Sequence, residues 1–154
     1  MDKVVLKSLA LLSLPVGAIL GVLAAIPYIG GLSLFAVLFL TAPVVILLLI
    51  MAGKLDLTTP KDSIINGALT GFFGNITFSF AYSVVVALLY LTIKFTTNYF
   101  LTAMIINSPV WLLIIIVLFI GILTATTNAF SGFITYYIIN LIRDLYEKRH
   151  SQER

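Results

Sequence analysis

At 154 residues with a net charge of +3, the chain has the length of one ordinary domain, yet 61% of it is apolar and only 10% charged. Soluble proteins run to about 45–50% apolar and about 25% charged. A mean hydropathy of +1.16 leaves too few charges for a water-facing surface, which excludes a soluble enzyme, a disordered regulator and a nucleic-acid binder, and the lack of cysteine removes disulfides, thiolate metal sites, haem attachment and lipoprotein anchoring.

The charges fall in four short clusters: Asp2, Lys3 and Lys7; Lys54, Asp56, Lys61 and Asp62; Lys94 alone; and the tail from Arg143 to Arg154. Between them lie three uncharged runs, residues 8–53, 63–93 and 95–142. About 20 apolar residues in a helix cross a bilayer. The middle run is therefore one span, and each outer run must be divided. The first divides at Pro27-Tyr28-Ile29-Gly30-Gly31, where a missing backbone donor and two residues tolerant of positive φ make a turn. This predicts a first helix over about Leu9–Ile26 and a second over about Leu32–Ala52, with Pro15 and Pro43 inside them as kinks whose freed carbonyls neighbouring helices satisfy. A third helix is predicted over Ser63–Ile93, capped by Asp62 or Ser63 just after Pro60.

The last run breaks at Asn107-Ser108-Pro109. Ser108 is the expected cap of a fourth helix, with Pro109 in its first turn and Trp111 at an interfacial depth. That helix is predicted to cross from about Val110 to Tyr136 or Tyr137 and to continue to about Lys148, supported by Arg143–Glu147 and Asp144–Lys148 spacings. Residues 96–107 are too short to span and too apolar for a plain loop. They are expected to lie along the interface, anchored by Tyr99 and Phe100. The resulting fold class is all-α, a polytopic four-transmembrane-helix bundle forming one domain over residues 1–154, with a short extracytoplasmic segment before the fourth helix.

Four crossings put both termini on one side. Lys3, Lys7, Lys54, Lys61, Arg143, Lys148, Arg149 and Arg154 then share a face, and only Lys94 is opposite. Basic residues are retained in the cytoplasm, so both termini are assigned there. The basic start imitates a signal peptide. However, the apolar stretch to Ile26 exceeds the about 7–15 residues of a signal core, and Leu23-Ala24-Ala25 is a poor cleavage site, so retention is expected.

Helices in lipid associate through small residues and a few hydrogen bonds. Gly17 and Gly21, then Gly67, Gly71 and Gly74, then Gly121, Ala125 and Ala129 form such faces on three helices. They are expected to pack within one chain or to make a homo-oligomer. Two polar stripes are more specific: Asn75, Ser79, Tyr82 and Ser83, continuing from Gly71, and Thr124, Asn128, Ser131 and Thr135. Counting depth from the cytoplasmic ends places Asn75 and Asn128 at similar levels. This predicts antiparallel third and fourth helices with the two carboxamides as a central pair. The stripes read either as interhelical packing or as a hydrated path or site for a neutral polar ligand. The triplet Asn75-Ile76-Thr77 matches a glycosylation acceptor but lies within a span.

The span interiors carry no Asp, Glu, Lys, Arg or His. Proton relays, voltage sensing, Ser-His hydrolysis and intramembrane metal ligation all need such groups. The single histidine, His150, sits in the charged tail. That tail is too balanced in sign for firm anionic-lipid recognition. No enzyme, cofactor, metal or nucleic-acid partner is expected. The first functional expectation is a non-enzymatic membrane protein acting through helix–helix contacts, as a subunit, scaffold or accessory factor; the alternative is a small passive channel or transporter for water or an uncharged solute. The expected partners are the bilayer, a second copy or another membrane protein. The Ile-Pro-Tyr-Ile-Gly-Gly turn and the glycine-rich start of the third helix resemble those of small four-helix membrane proteins of bacteria. Hairpin geometry alone produces that likeness, so it carries over no residue role; the expected setting is a bacterial inner membrane.

Overall fold

A computed structural model describes residues 3–56 and 59–152, and every regular element among them is helical. Asp2, Glu153, Arg154 and the side chain of His150 lie outside the described residues. The helices are α1 (Lys3–Ala24), α2 (Gly30–Met51), α3 (Pro60–Ile93), α4 (Tyr99–Asn107) and α5 (Val110–Gln152). Of these, α1, α2, α3 and α5 are long and apolar enough to cross a membrane.

The helix ends differ from the sequence expectations for local reasons. Helix α1 starts at Lys3 rather than Leu9, because nothing breaks the ladder through the basic tail. The α1–α2 turn takes its left-handed residue at Tyr28 (φ 71°), not at the glycines. Gly30 instead opens α2, where a Cβ would come within 2.7 Å of the Ala24 carbonyl. Helix α3 is capped by Thr59, not by Asp62 or Ser63: the Thr59 hydroxyl accepts the Asp62 N–H at 3.1 Å, and Pro60 fills the first position, where a donor is not required. Thr59 also donates to the Asp62 carboxylate at 2.7 Å. Lys94 ends α3 in the left-handed conformation (φ 54°), and the Phe95 N–H reaches back to the Leu89 carbonyl. No Ser108 cap forms. Ser108 is extended, and the Pro109 carbonyl accepts the Leu112 and Leu113 N–H groups that open α5.

Close approach sets the helix order. Gly17 and Gly21 of α1 lie directly on the main chain of α3 at Gly74 and Phe78, so α1 and α3 run parallel. Helices α3 and α5 run antiparallel: Ser63 meets Gly132, Gly67 meets Asn128, Gly71 meets Thr124, and Gly121 meets Phe72 and Asn75. Gly74 sits where α1, α2 and α3 converge, against Thr41. Both chain ends reach the same end of the bundle. There Val5 and Leu9 of α1, Ile46 and Leu49 of α2, Leu55, and Tyr136 and Ile139 of α5 form one apolar cluster. This is the basic end. The turn at Tyr28, Lys94 and helix α4 mark the far end.

Ala125 and Ala129 lie on the outside of the α3–α5 seam, lining a shallow groove with Ala68 and Phe72.

Candidate functional site

The site begins with a defect in α2. Residues Ala36–Leu40 form a π-helical turn, in which the Thr41 N–H bonds back five residues to Ala36. Such wide turns interrupt a helix and tend to mark functional positions. Pro43, two residues on, has no N–H to give. The unmatched main-chain groups are met by Asn128 of α5. Its carboxamide oxygen accepts the Ala42 N–H at 2.8 Å, and its nitrogen donates to the carbonyls of Val37 (2.9 Å), Leu38 (2.8 Å) and its own Thr124 (3.0 Å). Thr127 also donates to Leu38 at 2.8 Å. Asn128 is fully buried. Every polar atom it owns is spent on backbone that lipid cannot solvate.

Asn75 is therefore not its partner, contrary to the expected central pair. The Asn75 nitrogen donates to the Val117 carbonyl of α5 at 3.2 Å. The Asn128 side chain lies against Gly71, one turn before Asn75, while the Asn75 nitrogen lies beside Gly121, so the two carboxamides bond different partners. Counting depth from Ser63 and Tyr136 misjudged the register, because Ser63 pairs with Gly132 rather than with Tyr136.

The two stripes have different fates. On α5 the Thr124 and Thr135 hydroxyls close onto carbonyls of their own helix, at 2.8 Å each, and Ser131 is buried beside them. This stripe is dry. On α3, Asn75, Ser79, Tyr82 and Ser83 line a cavity of about 520 Å³. Among the described residues, the hydroxyls of Ser79, Tyr82 and Ser83 have no hydrogen-bond partner, nor has the carboxamide oxygen of Asn75, although Asn75 is only 1% exposed. Threonines elsewhere in the spans bond back to carbonyls of their own helices. Among the described residues, Ser33, Ser131 and Thr102 also show no side-chain hydrogen bond, but they lie away from the cavity, whereas the four α3 residues line it.

The cavity occupies the half of the bundle towards the far end. Its deep end lies at Asn75, Thr124 and Leu38; its wall on α5 is apolar, through Leu113, Ile116, Val117 and Ile120. Helix α4 supplies Leu101, Met104 and Ile105 as a roof, while Tyr99 and Phe100 stay exposed on its other side. Asn98 caps α4, accepting the Leu101 N–H at 3.1 Å. The neighbouring Thr97 hydroxyl lines the cavity, buried and without a partner. The lining contains no Asp, Glu, Lys, Arg or His. Below Asn75 the seam is closed by glycine contacts and by Asn128, so the cavity is blind on the basic side.

Of the residues singled out from the sequence, Asn75, Ser79, Tyr82, Ser83 and Thr124 line the cavity, and Asn128, Ser131 and Thr135 do not. Sequence reasoning missed Thr97, the α4 roof and the π-turn of α2. The spacing of Leu101, Met104 and Ile105 at three and four residues was a usable signal of a helix with one inward face; the π-turn left none.

No family model matches the chain, no curated protein matches it, and no solved structure matches its fold.

Proposed function

We propose that this chain is a non-enzymatic integral membrane protein that holds a small uncharged molecule in the cavity beside α3. Its basic end faces the cytoplasm of a bacterial inner membrane, by the retention of basic residues on that side. The observation that carries the reading is the set of unpartnered groups on Asn75, Ser79, Tyr82 and Ser83 around about 520 Å³ of space. A pocket of this size, mostly apolar with a few convergent polar groups, has the character of a small-molecule site. With no ionisable acid or base among the lining residues apart from tyrosines, binding and passive release are the chemistry available. A cavity blind towards the basic end suits a binding site or one state of a carrier better than an open channel.

The test is native mass spectrometry of the protein released from nanodiscs. One small-molecule adduct per chain is expected, lost in Ser79→Phe, which fills the cavity. A bare wild-type chain, indistinguishable from that variant across preparations, would overturn the reading.

A second reading, contact with a second copy or another membrane protein, is favoured by the small-residue groove at Ala68, Phe72, Ala125 and Ala129. Mass measurement in mild detergent separates it: a stoichiometric complex broken by Ala125→Leu supports it, and a monomer removes it.

A further inference from the structure

We infer that the occupant of this cavity is a membrane-borne, uncharged amphiphile bearing hydroxyl or carbonyl groups, and that it enters sideways from the lipid between α2 and α5. The inference rests on the binding reading above and adds the ligand's class and source.

The route comes from the way α2 and α5 part. They are joined at Leu38, where Asn128 and Thr127 both bond its carbonyl. From the π-turn onward, α5 packs against α2 through Ala36–Leu40 and Thr41–Met51. Towards the far end the helices leave a crevice. Leu34 of α2 and Ile120 of α5 line the cavity on its two sides, yet remain 49% and 39% exposed. Both belong to spans, so the medium at this opening is acyl chain. At the far end the apolar face of α4 covers part of the cavity, whose rim there also includes Tyr28 and Gly31 of the α1–α2 turn and Asn98. A molecule that partitions into lipid reaches the opening between Leu34 and Ile120 directly, and its hydrocarbon then meets the apolar residues of the lining.

The class comes from the two walls. Asn75, Ser79, Tyr82 and Ser83 form a polar edge along α3 that rises about 12 Å, and the facing α5 wall is apolar from Leu113 to Ile120, with Thr124 at its deep end. A ligand satisfying both has polar groups along one edge and hydrocarbon along the other. Hydroxyls donate and accept, and the Asn75 oxygen accepts, so hydroxyl and carbonyl groups on the ligand complement them. At the far end the buried, unpartnered Thr97 hydroxyl offers one more such contact. A carboxylate or ammonium would enter without a counter-charge in a low-dielectric site and is disfavoured.

The experiment uses the full chain in phosphatidylcholine vesicles with a diazirine-bearing decanol as the probe. Labelling is expected within residues 75–83 and 113–120, competed by 1-decanol at concentrations at least tenfold below those of decanoate or decyltrimethylammonium. Combining Ser79→Ala with Ser83→Ala, which removes polar atoms without adding bulk, should raise the competing 1-decanol concentration about three- to tenfold per hydroxyl. Ile120→Trp, which narrows the crevice, should slow labelling several-fold. If xylitol competes as well as decanol, the membrane-borne class and sideways entry fall while the cavity remains a binding site for a neutral molecule. If labelling is uncompeted and spread over the exposed Ile122 and Phe130, both readings fall.

Discussion

Asn128 accepts the main-chain N–H of Ala42 at 2.8 Å, one residue before Pro43, and so ties α5 to the defective turn of α2. In water such a turn could be solvated; in lipid its amide and carbonyls need a protein partner. One side chain supplies an acceptor oxygen and a separate nitrogen with two donor hydrogens, which asparagine can do and leucine cannot. The same contact is the hinge below which α2 and α5 stay together and above which the crevice opens.

Asn128→Leu should therefore cost about 2–3 kcal/mol, more than the about 0.6 kcal/mol typical of an interhelical hydrogen bond, because several backbone groups are orphaned at once. Reversible unfolding in mixed micelles measures it. Thr126→Ala serves as the reference, since that exposed hydroxyl bonds only its own helix at Ile122. Its effect should stay within about 0.5 kcal/mol; equal losses in the two variants would show that the tie contributes nothing.

The glycines of this chain should differ sharply in tolerance. A Cβ on Gly17 would overlap the Gly74 carbonyl, which is backbone and cannot swing away, whereas Gly31 has nothing within 4 Å. We expect Gly17→Ala to destabilise by about 1–3 kcal/mol through separation of α1 from α3. Gly31→Ala should be neutral or slightly stabilising. The same unfolding assay distinguishes the pair, and a neutral Gly17→Ala would mean that α1 does not sit on α3 as described.

Filling the cavity should raise stability while removing binding. Ser83→Leu replaces an unpartnered hydroxyl with hydrocarbon against the apolar wall of α5, with an expected gain of about 0.5–1 kcal/mol in ligand-free protein. Thermal unfolding in the same detergent reads it. A loss instead of a gain would indicate that Ser83 has a polar role in the empty protein.

The threading is open to direct mapping, since the sequence has no cysteine to interfere. An impermeant thiol reagent applied to intact cells should label Tyr28→Cys, whose native side chain is fully exposed at the far-end turn. Lys7→Cys should react only after the membrane is permeabilised. The reverse pattern would invert the assignment of the basic end to the cytoplasm.

Four long apolar helices, the hairpin at Pro27 and the break before Val110 were all legible in the chain. Each follows from counting: uncharged run length against bilayer thickness, and turn residues at fixed places. The glycine spacings likewise announced close faces, since a missing Cβ has the same meaning in any partner. Register was another matter. Whether Asn75 meets Asn128 or bonds the α5 main chain at Val117 depends on how far α3 slides along α5. That is decided by which small residues nest together, Ser63 on Gly132 and Gly67 on Asn128. The π-turn before Pro43 is equally silent in one dimension, because it exists only with a carboxamide from a helix some ninety residues away to complete it. Composition and spacing determine which residues must leave water; the contacts among them, set by three-dimensional fit, decide which polar groups are consumed by packing and which remain free to face the cavity.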